Sequence, residues 1–254
     1  MNLNFLGRGS AFNTKEGNTS AYYKSCENML LIDCGETVFT KLIETKTLDD
    51  VKNLFVAVTH THPDHIASLG TLIFYMYYIK QTKLNLILTP TPAQNEIIKN
   101  YLKISGVSDS HVNYVTSNSM LENFKELSQF VFLPTPHSKN MFTFGILLNH
   151  IKDGITYYSA DTNSSCHLEN YINSPNLDKI YMDTSKLDYD GSNHFSAKKL
   201  QEVVPANLRH KVYCMHIDDS TYIKELNNMG FNVVENVKIN KKTFSQNNDN
   251  ELEQ

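Results

Sequence analysis

The chain has 254 residues, 27 acidic against 23 basic side chains and a formal net charge of −4 with histidines neutral. That length suits one compact α/β unit burying roughly three quarters of its unfolded surface, and the acidic balance lacks the basic footprint of non-specific nucleic-acid binding, so a polynucleotide partner is not favoured. No apolar run approaches the ~20 residues needed to span a bilayer, no signal-like segment opens the chain, and Cys26, Cys34, Cys166 and Cys214 form no C-x-x-C pair; a soluble cytoplasmic protein with reduced thiols and no membrane association is expected.

Asn2–Leu6 reads as an apolar strand ending at the turn-former Gly7-Arg8-Gly9-Ser10, followed by a polar loop over Asn13–Asn18. Thr19–Tyr23 and Met29–Asp33 are two further strands, the second closing on Cys34-Gly35-Glu36. The apolar run Leu54–Val58 then leads into T-H-T-H-P-D-H at Thr59–His65. His60, His62, Asp64 and His65 fall within six positions, a density of imidazole and carboxylate donors that suits a divalent metal such as zinc. His60 and His62, two apart, point the same way from an extended segment, whereas the adjacent Asp64 and His65 point elsewhere, which suggests two metals sharing one turn.

Ala67–Lys80 carries Leu69, Leu72, Ile73, Met76 and Tyr77 at helical spacing, crowded by Phe74, Tyr75 and Tyr78. These aromatics read as core packing, a base-stacking surface or a contact with a partner subunit. Leu84–Leu88 is a short strand, and a helix is expected from near Thr91, with Pro92 in its first turn, to a stop at Gly106. A short helix is placed around Met120–Leu127. Phe130–Leu133 is a strand whose rigid end, Pro134-Thr135-Pro136, aims His137 from its tip. Phe142–Leu148 and Ile155–Ser159 form a hairpin through Lys152-Asp153-Gly154, the second strand ending at Asp161. Leu177–Met182 runs into Asp183, and His194 precedes a helix capped by Ser196. Val212–Met215 ends in His216, Thr221–Met229 is helical, and Phe231–Val234 is a last short strand. One domain over 1–237 and a loose polar tail over 238–254 are expected, with no internal repeat visible.

Four apolar strands therefore end in metal-capable residues: the cluster at His60, His137, Asp161 and His216. The run His60-x-His62-x-Asp64-His65 resembles the H-x-H-x-D-H signature of the dinuclear hydrolases of the metallo-β-lactamase superfamily. That resemblance implies an α/β fold, a four-layer αβ/βα sandwich with a two-metal site at one edge. It also implies that His60, His62 and His137 hold one metal, that Asp64, His65 and His216 hold the other, and that Asp161 bridges them, the ions being zinc, with manganese served by the same donors. The stretch L-I-D-C-G-E at Leu31–Glu36 is similar to a second recurrent segment of the family; Asp33 reads either as a partner orienting a ligand imidazole or as a strand-end turn carboxylate.

His194-Phe195-Ser196-Ala197 resembles the H-x-[ST]-A segment of ribonuclease Z and its phosphodiesterase relatives, which implies that His194 contacts the scissile phosphate as general acid or charge stabiliser, with Asp183 orienting it and Asp64 taking the proton of the attacking water. Only the 23 residues Ser138–Ala160 separate His137 from Asp161, leaving no room for the long arm of ribonuclease Z. The run Gly7–Ala21 resembles the anti-Pycsar phosphodiesterases of phages and bacteria. This implies a homodimer that opens cyclic mononucleotides such as cyclic CMP and cyclic UMP to disarm a signalling defence in the host cytoplasm. A transfer-RNA 3′ endonuclease and a non-catalytic protein that sequesters a nucleotide are the alternatives.

Overall fold

A computed structural model describes residues 1–239; the tail expected over 238–254 lies, apart from Lys238 and Ile239, outside the described residues. Two six-stranded sheets form the frame. The first runs in chain order through β1 (Asn4–Gly7), β2 (Ser20–Ser25), β3 (Asn28–Ile32), β4 (Asn53–Ala57), β5 (Leu84–Ile87) and β6 (Val112–Val115). The second comprises β7 (Leu127–Pro134), β8 (Phe144–His150), β9 (Gly154–Tyr158), β10 (Leu177–Asp183), β11 (Val212–Met215) and β12 (Asn232–Val233), again adjacent in chain order. In both sheets the first two pairings are antiparallel and the remaining three parallel. The two halves thus repeat one topology, although no repeat is visible in the residues.

Strand alternation sorts the apolar side chains into layers. Leu30 and Ile32 of β3 and Phe55 and Ala57 of β4 face the second sheet, meeting Phe130, Phe132, Ile146, Leu148 and Tyr158. Their neighbours Met29, Leu31, Leu54 and Val56 face outward. There they are covered by α1 (Val38–Glu44), α2 (Pro63–Ile66), α3 (Leu69–Phe74) and α4 (Pro92–Ile104). On the far side, Ile180, Met182, Val212 and Cys214 pack beneath α6 (Cys166–Ile172), α7 (Ala197–Val203) and α8 (Ile223–Asn228). The short α5 (Ser117–Leu121) closes one end of the interior through Met120. The order helix, sheet, sheet, helix is the expected four-layer sandwich. All four cysteines are free, and no helix among the described residues is long and apolar enough to cross a membrane.

Several boundaries depart from expectation. The helix placed around Met120–Leu127 ends at Leu121, and Leu127 instead opens β7, because Phe124 and Leu127 bury into the space between the sheets rather than onto a helix face. The helix expected over Ala67–Lys80 is α3 followed by a π-helical turn at Tyr75–Ile79, a wider turn that leaves Tyr78 at 60% and Ile79 at 67% exposure. Strand β8 begins at Phe144 rather than Phe142. Helices α1 and α6 and the edge strand β6 were not expected: each is too short to show more than two periods of a pattern.

Close backbone approach fixes the ligand turn. Cys34 N–H donates to His65 O at 2.8 Å and Ser68 N–H to Cys34 O at 3.1 Å, so the end of β3 lies directly on α2. At Gly35 a Cβ would stand 1.8 Å from the Asp64 carbonyl oxygen, closer than any relaxation of a side chain can repair. Gly35→Ala is therefore expected to displace α2 and destabilise the fold by at least about 2 kcal/mol, a fall of roughly 4–8 °C in Tm for a chain of this size. Calorimetry of wild type and variant checks this, and an unchanged Tm would contradict the close approach.

Candidate metal centre

The ligand-bearing strands all end at one mouth of the sandwich, and the backbone there turns sharply. Asp33 after β3 (φ 64°), Ala160 after β9 (φ 53°) and His216 after β11 (φ 58°) adopt the left-handed conformation, uncommon for residues with a Cβ and concentrated where function holds it in place. Through these turns the carboxylates and imidazoles converge. His60, His62, His137 and Asp161 each present a donor atom to one point, and Asp64, His65, Asp161 and His216 to a second, the atoms within each set lying within 4.8 Å of one another. All seven residues anticipated as ligands are thus brought together, in the expected partition and with Asp161 common to both sets.

Three observations test whether these residues suit metal ions. His60 Nε2 and His137 Nε2 lie 3.0 and 3.2 Å from His62 Nδ1, close to the ~3.3 Å separating nitrogens that share a tetrahedral ion at 2.0–2.1 Å. His65 Nε2 is buried with no hydrogen-bond partner among the described residues, yet stands 3.3 Å from Asp161 and 3.4 Å from Asp64 carboxylate oxygens. The opposite ring nitrogens are occupied. His65 Nδ1–H donates to Asp33 Oδ2 at 2.8 Å and His137 Nδ1–H to the Asn193 carbonyl at 2.9 Å. Because Thr59 Oγ1–H donates to Asp33 Oδ2 at 2.8 Å, the same hydroxyl accepts from His60 Nδ1–H at 3.0 Å. Each of these rings therefore turns Nε2 toward the centre; burial lowers His65 too, but Asp161 and Asp33 outweigh it and raise the ring well above the usual histidine value. The donor set suits divalent metal ions.

The two sets differ electrostatically. Burial, and then the neighbouring His65, hold His60 well below the usual histidine pKa; burial also lowers His62 and His137. These three are neutral imidazoles, the ligating form. Burial pushes His216 down too, but Asp161, Asp183 and Asp64 outweigh it and raise the ring to about 10. Burial works to raise the Asp161 carboxyl, and His216 and His65 overcome it to hold the group well below the carboxylate range.

His194 lies beside both sets, its ring centroid 5.1 Å from that of His137 and 4.8 Å, stacked, from that of His216. Its Nδ1–H donates to Asp183 Oδ2 at 2.8 Å; burial lowers its pKa, but Asp183 reverses this and leaves it above the usual value. Asp183 does more than orient His194: its Oδ1 lies 3.4 Å from His216 Nδ1, and its Oδ2 also accepts from Thr162 N–H at 2.9 Å. Asp161, Asp183, His194 and His216 form a further set of converging donors, but one that draws on Asp161 and His216 already counted.

Thr59, Asn193 and Gln94 carried no assignment from sequence. Gln94, 1% exposed at the start of α4, donates from Nε2 to Thr59 O at 3.3 Å, tying that helix to the ligand turn. A run of polar residues after Pro92 gives no sign of which one is buried, and a backbone acceptor such as Asn193 O leaves no mark on residue type at all.

The described chain superposes on YhfI of Bacillus subtilis, a metallo-β-lactamase fold protein, with a TM-score of 0.67 at 17% identity, covering 93% of this chain and 95% of that one. Fold and site together define a protein of the metallo-β-lactamase fold with a cluster of histidine and aspartate donors suited to divalent metal. The sequence model of the family "Anti-Pycsar protein Apyc1" matches residues 1–239, and the chain belongs to that family. Two relatives bearing that name are similar over most of their length. The protein of Bacillus phage BSP38 is 25% identical over 235 residues, 86% of this chain and 89% of its own. That of Paenibacillus harenae is 27% identical over 229 residues, 87% and 91% of the two chains.

Asp33 reaches both ligand sets, directly through His65 and through Thr59 to His60. Asp33→Asn keeps the size and tolerates the left-handed backbone but puts an amide where only acceptors fit. It is expected to weaken metal binding about 10- to 100-fold, measured as metal retained per chain after dialysis against graded chelator, with the circular dichroism spectrum unchanged. Unchanged metal retention would reduce Asp33 to a turn residue.

Proposed function

We infer that the protein is a dinuclear phosphodiesterase that hydrolyses 3′,5′-cyclic mononucleotides, cyclic CMP and cyclic UMP among them, and so counteracts a cyclic-nucleotide antiviral signal in the host cytoplasm. Residues 1–237 act as one catalytic domain holding two zinc ions. The relatives' name, anti-Pycsar protein, supports the pathway, and one observation supports the chemistry. His194 is the protonatable group beside the two ligand sets that faces outward, its side chain 33% exposed where those of Asp161 and His216 are each 3% exposed.

Two divalent ions held by His60, His62 and His137 and by Asp64, His65 and His216, with Asp161 common to both sets, would supply a water of lowered pKa and would neutralise charge on a phosphoryl group. The chain's own residues do the rest. Asp64, facing His65 and His216 at 3.4 and 3.3 Å, accepts the proton of the attacking water. His194, its Nδ1–H committed to Asp183, is free at Nε2 to give a proton to the leaving oxygen. A phosphodiester needs such a donor because its leaving group departs as an alkoxide. The Phe144–Tyr158 segment between His137 and Asp161 is a plain antiparallel hairpin, which supports a compact substrate over a transfer RNA.

A panel of cyclic mononucleotides, cyclic dinucleotides and pre-tRNA tests this reading. Cyclic mononucleotides are expected to be opened, with activity abolished by a chelator and by His60→Ala, and turnover confined to pre-tRNA would overturn it. His194→Ala is expected to lower kcat about 100-fold or more, and Asp183→Asn to lower it less; ligand capture without product at any enzyme concentration would instead mark a sequestering protein.

The same reading includes a homodimer. The π-helical turn exposes Tyr78 and Ile79, and Tyr77 and Tyr78 gather around His111 with ring centroids 4.7 and 5.7 Å away, an apolar surface suited to a second copy. Light scattering is expected to give the mass of two chains for the wild type and of one for Tyr78→Glu; a monomeric wild type removes the dimer from the account.

A further inference from the structure

Among the described residues, four aromatic side chains are more than a third exposed: Phe12 at 96%, Tyr78 at 60%, Tyr189 at 58% and Phe142 at 43%. Tyr78 belongs to the π-helical turn. Phe142 and Tyr189 stand on loops next to His137 and His194, Phe12 stands on a turn bonded to the residue after His216, and the Phe12 turn and the Tyr189 loop are anchored side by side.

Phe12 occupies the tip of a tight turn in which Asn13 N–H donates to Ser10 O at 3.1 Å. Both ends of that turn are fastened to Ile217, the residue after the ligand His216. Ser10 N–H and Asn13 Nδ2 donate to Ile217 O at 3.1 and 2.9 Å, and Ile217 N–H donates back to Arg8 O at 2.8 Å. Tyr189 lies on the loop 186–193, whose neck is closed by Ser185 N–H to Phe195 O at 2.9 Å and Ala197 N–H to Ser185 O at 2.8 Å. The outgoing limb is held by Asp218, which accepts from Lys186 N–H at 3.0 Å and Ser185 Oγ at 2.6 Å. The returning limb is held by His137, through Asn193 O. The loop thus runs from beside one ligand set to beside the other, and the Phe12 turn and the Tyr189 loop are bonded to the consecutive residues Ile217 and Asp218.

An exposed ring on a backbone fastened at both ends costs little to order when a flat partner arrives. Aromatic faces take any base by stacking, without reading its hydrogen-bonding edge. We propose that Phe12 and Tyr189 form the base-binding subsite of this enzyme, stacking on the planar heterocycle of the substrate while its cyclic phosphodiester lies against the ligand sets and His194. This subsite rests on the phosphodiesterase reading above and assigns the binding energy of the base to two rings that play no part in the chemistry.

The test is calorimetric titration of the metal-loaded enzyme with two hydrolysis-resistant phosphorothioates, that of 3′,5′-cyclic UMP and that of the 3′,5′-cyclic ribose phosphate lacking a base. Phe12→Ala and Tyr189→Ala are each expected to weaken binding of the nucleotide about fivefold or more, to leave the base-free compound within twofold of wild type, and to be rescued by Phe12→Tyr and Tyr189→Phe. If wild type binds neither compound, the phosphodiesterase reading fails and the subsite with it. If wild type binds the nucleotide and both alanine variants bind it equally well, or if they lose the base-free compound to the same degree, the subsite alone is refuted.

Discussion

Asp161 is the point on which the structure turns. Its carboxylate is 2% exposed and lies within 4.0 Å of five imidazoles, those of His60, His65, His137, His194 and His216. An ionised carboxylate taken this far from water costs several kcal/mol unless charge and hydrogen bonds compensate it. Asp33, Asp64 and Asp183 are buried nearby, so the mouth of the sandwich concentrates negative charge that imidazole protons balance only in part. Divalent cations bound there would relieve that imbalance directly, which would make metal binding and the integrity of this end of the fold a single thermodynamic matter.

Two carboxylates divide the work of holding the rings. Asp33, at the end of β3 in the first sheet, fixes His65 directly and His60 through the Thr59 hydroxyl, so that it acts on one imidazole of each ligand set. Asp183, at the end of β10 in the second sheet, fixes His194 and faces His216. The repeated topology explains the correspondence: in each sheet the parallel strands point their carboxyl ends at the same mouth, where open α/β sheets place their ligands. Each half therefore supplies both ligands and an acidic residue that orients rings.

How much of this was legible in the sequence depended on scale. The cluster at His60–His65 and the polar residues ending the strands before His137, Asp161 and His216 were visible because donor residues interrupt apolar runs. Asp33 could be noticed but not assigned, since its two readings differ only in whether His65 Nδ1 lies within reach. The relay through Thr59 was invisible because a threonine before a histidine is unremarkable until the hydroxyl's own donor bond is known. The end of α5 and the π-helical turn escaped for another reason: they are set by what the side chains meet in space, Phe124 and Leu127 between the sheets and the tyrosines against His111, and local periodicity carries no term for that.

The placement of His194 follows a different logic from that of the ligands. His60, His137, Asp161 and His216 stand at or just beyond strand tips, where the sheets fix the backbone, whereas His194 stands on the returning limb of a loop. A group that holds an ion must not move; one that exchanges a proton with a leaving oxygen and then with solvent must reach water. The loop meets both needs because its neck is pinned between Ser185 and Ser196 while Asn193 O is bonded to His137. The limb is thereby registered on a ligand ring to within a hydrogen bond, and His194 retains the partial exposure that the buried imidazoles lack. Rigid sheets set the geometry of the clustered donors, and a short fastened loop sets His194 relative to them.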